Sequence, residues 1–263
     1  MNITILTLFP AMFDGFRENS IIKRAIAKNA VTINVVNIRP YSLEKTGRTD
    51  SEPIGGGAGL VQKAQPIVYA LDEHRKPNSH VVLLSPRGKP FNQKKAVEFS
   101  KMEDIVFVCG HYEGVDERVN NFVDELVSIG DYVLTGGEIP AMAISDSVIR
   151  LLDGVIASES LVDESFNDNL LEYPQFTEPY DFRGFTVPEI LYSGNSKIVQ
   201  KWRRRASLLL TREYREDLFE KVELSEEDKI MLEEYDNGET PQWEIRNTQV
   251  GKTFIKAKKK RVD

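Results

Sequence analysis

The strongest constraint on the fold is a regular alternation of apolar runs and mixed segments over the first 150 residues. The apolar runs that predict β-strands are Ile3–Leu8, Val31–Ile38, His80–Ser85, Ile105–Cys109 and Phe122–Val127. The segments that predict helices are Ala11–Lys28, Ala64–Lys76, Asn92–Lys101, Val115–Asn121 and Ala141–Leu152. Such alternation is typical of an α/β layer with a mostly parallel sheet. Ligands of these sheets bind beyond the carboxyl ends of the strands.

Four glycine-bearing loops follow strand candidates: Pro53–Leu60, Leu84–Gly88, Cys109–Arg118 and Ser128–Pro140. Glycine lets the backbone turn sharply and approach a ligand closely, so together the loops predict a pocket built largely from backbone. A generic turn explains any one of them equally well. Two nucleotide-binding fingerprints fail on spacing, because Gln62 and Arg246 stand where glycines are required.

The charge distribution indicates a local contact with a polyanion in an otherwise acidic protein of net charge −7. Seven lysines and arginines lie in Lys197–Arg215 against one acid, Glu213. The segment Lys252–Arg261 is basic as well, and it is either an RNA anchor or only solubilising. The alternative for the first segment is a solvated helix face.

Cysteine and histidine are too few for a disulfide or a zinc site, because the chain has one cysteine, Cys109, and three scattered histidines. Cys109 ends an apolar run and is expected to be a buried strand residue. No apolar run reaches the roughly 18 residues that span a membrane, and no secretory signal is recognisable at the N-terminus. We therefore expect a cytoplasmic protein without membrane contact.

Four segments are predicted along the chain. Residues 1–157 form the α/β domain, 158–184 a polar and acidic linker or lid, 185–246 a small all-α domain, and 247–263 a basic tail whose last dozen residues are expected to be mobile. The helical domain is expected to contain Ser196–Leu210 and Glu226–Tyr235, with Ser225 as the N-cap of the second helix.

The loops and several shorter motifs resemble, in order, the bacterial tRNA (guanine-N1)-methyltransferases, the TrmD family of the SPOUT class. The resemblance runs from residue 1 to about residue 235. Besides the loops, the matching segments are Leu8–Pro10, Met12–Phe13, Asp146–Ser147, Ser165–Phe166, Tyr173–Pro174, Leu191–Asn195 and Trp202–Arg203. Collinearity of this many motifs makes the resemblance specific.

The resemblance implies a sheet that ends in a trefoil knot and holds S-adenosylmethionine in that knot, followed by a small all-α domain. By motif match, the residues that contact the cofactor are Leu84, Ser85, Pro86, Gly110, Glu113, Gly114, Ile129, Gly130, Asp131, Tyr132, Val133, Leu134, Gly136, Gly137 and Pro140.

The implied reaction is methylation of N1 of the guanine immediately 3′ to the anticodon of tRNA. N1 carries a proton, so a general base must lie within hydrogen-bond reach, and a cation near the guanine oxygen stabilises the charge that develops there. Arg150 matches the family's catalytic arginine, although it could equally cap the predicted helix Ala141–Leu152. The family has an aspartate directly before Ser-Phe, whereas this chain has Glu164 there and Asp163 one residue earlier. Glu164 is the preferred base and Asp163 the alternative.

The resemblance also implies a homodimer with its active site at the subunit interface and a dependence on Mg²⁺, although no dedicated metal-ligand set is visible. The predicted tRNA contacts are Lys197, Lys201, Arg203, Arg204 and Arg205. Two other functions remain open: a knotted methyltransferase that acts on a different RNA, and a non-catalytic RNA-binding protein.

Overall fold

The structure, a computed structural model, describes residues 1–157 and 164–259. The chain divides into two compact units, Met1–Leu161 and Val162–Asp263. Within the described residues no helix is both long and apolar enough to cross a membrane.

The first unit is built on a five-stranded, fully parallel sheet, which confirms the predicted α/β class. Its strand order is β2-β1-β6-β5-β7. The strands are β1 (Asn2–Thr7), β2 (Thr32–Asn37), β5 (His80–Pro90), β6 (Asp104–Cys109) and β7 (Glu125–Ser128), and a short antiparallel pair is formed by β3 (Asp50–Ser51) and β4 (Val61–Gln62).

Helices lie on both faces of this sheet. They are α1 (Asp14–Glu18), α2 (Ser20–Ala27), α3 (Ala64–His74), α4 (Gln93–Ser100) and α5 (Glu138–Ile149). Side chains alternate along β6, so Phe107 packs with α2, α4 and α5 while Val106 and Val108 pack with α3. The strands are therefore buried on both faces, which is why they read as continuous apolar runs in the sequence.

Two predicted helices differ from those observed. The segment 11–28 is divided because Asn19 is extended and Ser20 adopts φ 52°, so a 3₁₀ turn at Pro10–Phe13 and two α-helices replace one long helix. The segment 115–121 instead forms the 3₁₀ helix Glu117–Phe122. There the Asp116 carboxylate accepts the backbone N–H of Arg118 at 3.0 Å and caps a tight turn.

The second unit begins with an irregular segment and a hairpin that the sequence did not suggest. Strands β8 (Asp181–Phe182) and β9 (Phe185–Thr186) are joined by two residues with positive φ, Arg183 at 57° and Gly184 at 88°. Positive φ at both central positions is typical of the type I′ turn, which matches the twist of a hairpin.

The remainder of the second unit is helical, as predicted. Its helices are α6 (Ser196–Tyr214), α7 (Glu216–Phe219), α8 (Glu226–Asp236) and α9 (Gln242–Lys259). Ser225 is the N-cap of α8, and it forms a capping box with Asp228.

Helix α9, which ends at Lys259, corrects the expectation that the last dozen residues are a mobile tail. The helix continues through that segment because Gly251 packs directly on the backbone carbonyl of Glu189, where any side chain would collide. Ile255, one turn later, is buried as well. Tertiary contacts thus stabilise a helix in a segment whose sequence is polar and basic.

Candidate active site

A pocket of about 400 Å³ lies beyond the carboxyl ends of β5, β6 and β7, where ligands of parallel sheets bind. Three of the four glycine-bearing loops line it: the one inside β5 after Leu84, the one after β6 and the one after β7. Between Leu84 and Lys89 the pairing of β5 with β7 is interrupted, and both residues pair with Val127. The interruption leaves Ser85, Pro86 and Arg87 free to face the pocket.

Of the residues predicted to contact the cofactor, Asp131 alone does not line the pocket. Asp131 is exposed in the outer part of its loop, beside Tyr132 and Val133. The pocket also has eight lining residues that were not predicted by motif match: Leu83, Arg87, His111, Tyr112, Val115, Val127, Ser128 and Thr135. All but Leu83 and Val127, which lie on β5 and β7, belong to the same loops, so the loop boundaries were informative but the direction of each side chain was not.

The loops after β6 and β7 touch through backbone at Gly137. A Cβ on Gly137 would lie 2.8 Å from the Cα of Cys109 and 3.1 Å from the backbone nitrogen of Gly110. The N–H of Gly137 donates to the carbonyl of Gly110 at 2.8 Å. Glycine is thus required at this position because two backbone segments approach each other closely. Its φ of −82° is ordinary and does not itself require glycine.

A buried carboxylate, Glu138, joins the pocket loops to the end of β1. Its side chain is 2% exposed and accepts a hydrogen bond from the Thr7 hydroxyl at 2.8 Å. The Nδ1 of His111 lies 3.6 Å from the other carboxylate oxygen, and the backbone of Gly136 fills the space beside both groups. This contact couples the loop after β6 to the start of α5 inside the core.

Cys109 is buried at the end of β6, as predicted, and behaves as a packing residue. Burial raises the pKa of its thiol well above the usual value, and the nearby Glu138 carboxylate raises it further. The thiol therefore stays protonated near neutral pH and is not a nucleophile.

The fourth glycine loop packs behind the pocket instead of lining it. Gly59 adopts φ +77°, and the side chain of Glu113 lies directly against it. The backbone N–H of Glu113 donates to the carbonyl of Leu60 at 3.0 Å. The loop thereby fixes Glu113, whose side chain is on the pocket wall.

The predicted catalytic residues lie on different elements. Arg150 is the C-cap of α5, and its backbone N–H donates to the Asp146 carbonyl at 3.1 Å. Glu164 belongs to the second unit, where it is half-buried and lines a hollow of about 230 Å³ together with Arg203 and Arg204. Asp163 lies outside the described residues.

The backbone just after Glu164 is held in a rare conformation. Phe166, Asp168 and Asn169 adopt φ of 75°, 50° and 60°. Left-handed non-glycine residues cost free energy and concentrate at functional sites. The Ser165 hydroxyl accepts the backbone N–H of Glu172 at 2.9 Å and ties the two ends of this turn together.

Most cations of the basic helix α6 are neutralised inside the second unit, which alters the interpretation of this helix as an RNA-binding face. Arg204 makes two hydrogen bonds, of 3.0 and 2.9 Å, to the carboxylate of Asp228, which is 3% exposed. The other α6 cations in ion pairs are Lys201 with Glu227, Arg205 with Glu244 and Arg212 with Asp236, and Arg215, just after the helix, pairs with Asp217.

Two of the predicted tRNA-binding residues carry no ion pair among the described residues. Lys197 is exposed. The guanidinium of Arg203 lies 4.4 Å from the centre of the Tyr173 ring, a favourable cation–π contact. These two cations are better placed for phosphate contact than Lys201, Arg204 and Arg205.

Comparison with known proteins identifies relatives over most of the chain. The family model for "tRNA (Guanine-1)-methyltransferase TrmD" matches residues 1–221. A protein of Clostridium botulinum (strain Langeland) named tRNA (guanine-N(1)-)-methyltransferase is 50% identical over 237 residues, which are 89% of this chain and 98% of that relative. A Carboxydothermus hydrogenoformans protein of the same name is 52% identical over 234 residues, 88% of this chain and 92% of the relative.

Proposed function

The chain belongs to the tRNA (guanine-1)-methyltransferase family, and on that premise we propose that it transfers a methyl group from S-adenosylmethionine to N1 of the guanine immediately 3′ to the anticodon of tRNA. The observation that carries this proposal is the pocket at the ends of β5, β6 and β7, which collects the motif residues of three separate loops.

The pocket fits the chemistry of S-adenosylmethionine. Its volume of about 400 Å³ lies within the range of small-molecule sites, and its walls are mainly glycine backbone and short apolar side chains. Backbone groups near Leu84, Ile129 and Leu134 would hold the adenine ring, and the Glu113 carboxylate would pair with the positively charged amino group. Bound in this way, the cofactor supplies a methyl group on a sulfonium, which is electrophilic without further activation.

The protein's own residues must prepare the nucleophile. N1 of guanine becomes nucleophilic only after it loses its proton, so a carboxylate is needed as the general base. We assign that role to Glu164, with Asp163 as the alternative. Arg150 would hold the guanine oxygen, where negative charge develops as the proton leaves, and fixed positive charge there lowers the barrier.

Further parts of the proposal follow from the family. They are the trefoil knot, a homodimer with the active site at its interface, a cytoplasmic location and a requirement for Mg²⁺. Among the described residues, no three histidine, cysteine or acidic side chains are grouped to hold a metal. Mg²⁺ commonly keeps several waters and binds through one or two carboxylates, of which Glu113 is a candidate, and we derive no step through the metal.

The test is transfer of labelled methyl from S-adenosylmethionine to two tRNA transcripts that differ only in the base 3′ to the anticodon. We expect incorporation into the guanine transcript and none into the adenine transcript. Equal incorporation into both would indicate a methyltransferase of another specificity. No incorporation into either would refute the enzymatic function.

The base is tested separately by single-turnover rates of Glu164→Gln and Asp163→Asn at saturating substrates. Loss of a positioned base costs about 10²- to 10⁴-fold in rate. We expect that loss in Glu164→Gln and a smaller one in Asp163→Asn, with cofactor affinity unchanged in both. If both variants keep the full rate, the base is neither residue.

A further inference from the structure

Helix α9 lies beyond the part of the chain that the family model matches, which ends at residue 221. The relative from Clostridium botulinum aligns over 237 residues, nearly its whole length, whereas this chain has 263 residues. The role of the helix therefore does not follow from the match to the family model.

Helix α9 packs on the rest of the helical unit at three places. Gly251 packs on the Glu189 carbonyl. The ring of Phe254 stacks on that of Tyr192, with ring centres 6.4 Å apart and an interplanar angle of 27°. At the other end of the helix, Lys201 lies 5.2 Å from the centre of the Trp243 ring.

The charge of α9 contrasts with that of α6. From Arg246 to Arg261 the chain carries seven lysines and arginines and no acid. Arg246, Lys252 and Lys256 are exposed, and among the described residues none of them lies in an ion pair with a carboxylate. On α6, by contrast, four of the six cations are already paired.

The positions of Lys252 and Lys256 suit a linear polyanion. They are four residues apart, so both lie on one side of the helix and are separated by about 6 Å along its axis. Gly251 and Ile255, which are buried, lie about 100° away round the helix and dock it onto the rest of the unit. The ammonium groups therefore face solvent from a docked helix, which reduces the entropy lost on binding compared with a disordered tail.

We infer that α9 is an additional tRNA-binding element, which contacts the phosphate backbone through Lys252 and Lys256. The inference rests on the proposed function, because tRNA is the polyanion that the enzyme must bind. The α9 contacts add affinity without reading bases, since phosphate contacts carry no sequence information.

The test compares two full-length double variants with the same change in net charge. Lys252→Gln/Lys256→Gln removes the two exposed cations of α9. The control, Arg212→Gln/Lys229→Gln, removes two cations of the same unit that are paired with Asp236 and Glu226. A third variant, Lys252→Arg/Lys256→Arg, keeps the charge.

The readout is the dissociation constant for the guanine-bearing tRNA transcript over a series of salt concentrations. Each phosphate contact contributes roughly 0.7 to 0.9 to the slope of log K against log salt, so loss of two contacts lowers the slope by about 1.4 to 1.8. We expect this change, together with an approximately tenfold weaker affinity at low salt, in the α9 variant alone. Affinity for S-adenosylmethionine and the single-turnover rate at saturating tRNA are expected to stay at the wild-type level.

Two results would overturn the inference: an unchanged slope in the α9 variant, or an equal change in the control. If the α9 variant instead loses binding to anionic phospholipid vesicles while its tRNA affinity is unchanged, the helix serves a membrane surface and the inference is wrong. Failure of the proposed function would show differently, because the wild-type protein itself would then transfer no methyl group to the transcript.

Discussion

Replacement of Gly137 by alanine tests whether close packing of two backbones shapes the pocket. The added Cβ would lie 2.8 Å from the Cα of Cys109 and 3.2 Å from its Cβ. Carbon atoms in favourable contact lie about 3.5–4.0 Å apart, so the loops must separate by roughly 0.7–1.2 Å. Alanine tolerates the backbone conformation at this position, φ −82° and ψ −4°, and the effect is therefore purely steric.

The magnitude follows from that displacement. Overpacking of a buried site costs about 1–3 kcal/mol of unfolding free energy, and each kcal/mol lowers the Tm of a protein of this size by about 2–4 °C. A misplacement of about 1 Å in a binding site can reduce function by about 10²-fold. Because the loops must move by a similar distance, we expect Gly137→Ala to bind S-adenosylmethionine 10- to 100-fold more weakly than the wild type.

The assay is isothermal titration of S-adenosylmethionine, with thermal melting of the free protein. The matched control is Gly15→Ala in α1, where an added Cβ meets no atom within 4 Å. That control should bind the cofactor normally and melt at the same or a higher temperature, because alanine favours a helix. Wild-type cofactor affinity in Gly137→Ala would refute the idea that this contact sets the shape of the pocket.

Three further predictions concern groups outside the pocket wall or beneath it. Glu138→Ala should lower the unfolding free energy by about 2–3 kcal/mol and weaken cofactor binding, because a buried hydrogen bond to a carboxylate is lost. Glu138→Gln keeps a hydrogen-bond acceptor, so it should lose less unfolding free energy in urea and less cofactor affinity in titration. Arg204→Met should lower the unfolding free energy in urea by about 2–3 kcal/mol and leave tRNA affinity unchanged. The loss is smaller than for a fully buried ion pair because the Arg204 side chain is 36% exposed. A weaker tRNA affinity at unchanged stability would contradict this structural role of Arg204. Burial acts to raise the pKa of Asp104, but hydrogen bonds from Lys76, Ser79 and Asn2 outweigh it and lower the pKa. The stability difference between wild type and Asp104→Asn should therefore be complete above about pH 5 and shrink as the pH falls below about 3.9, and a difference independent of pH would contradict this account.

The core of the fold was predictable because its signals are local. Runs such as Ile105–Cys109 are apolar throughout, as strands covered on both faces must be, and the chain order of strands and helices restricts the topology to a parallel sheet. The glycine loops were placed correctly at strand ends for the same reason. The direction of individual side chains within those loops was not predictable, and Asp131 shows the consequence.

The electrostatic role of α6 could not be predicted from its composition. The acids that pair with Lys201, Arg204 and Arg205 lie 24 to 39 residues further along the chain, in α8 and α9. Counting cations within one segment overestimates the charge available to a ligand when a packed neighbour supplies the counter-ions. The hairpin at Arg183-Gly184 was missed because arginine is uncommon at a position that requires positive φ.

The helix at the C-terminus was missed for a related reason. Its sequence is polar, basic and interrupted by Gly251, so local preference predicts no stable helix. The fit of that glycine against Glu189, burial of Ile255 and stacking of Phe254 on Tyr192 explain why the segment is helical. Long-range contacts of this kind are invisible until the fold is known.

The central claim, methylation of N1 of one guanine of tRNA, is tested most directly by identification of the product. The wild-type protein is incubated with S-adenosylmethionine and a guanine-bearing tRNA transcript, and the RNA is digested and analysed by mass spectrometry, both as fragments and as nucleosides. We expect 1-methylguanosine as the single new nucleoside, in the fragment that contains the base 3′ to the anticodon. A methyl group on another atom of guanine, on the ribose or in another fragment would contradict it, as would the absence of any methylated nucleoside.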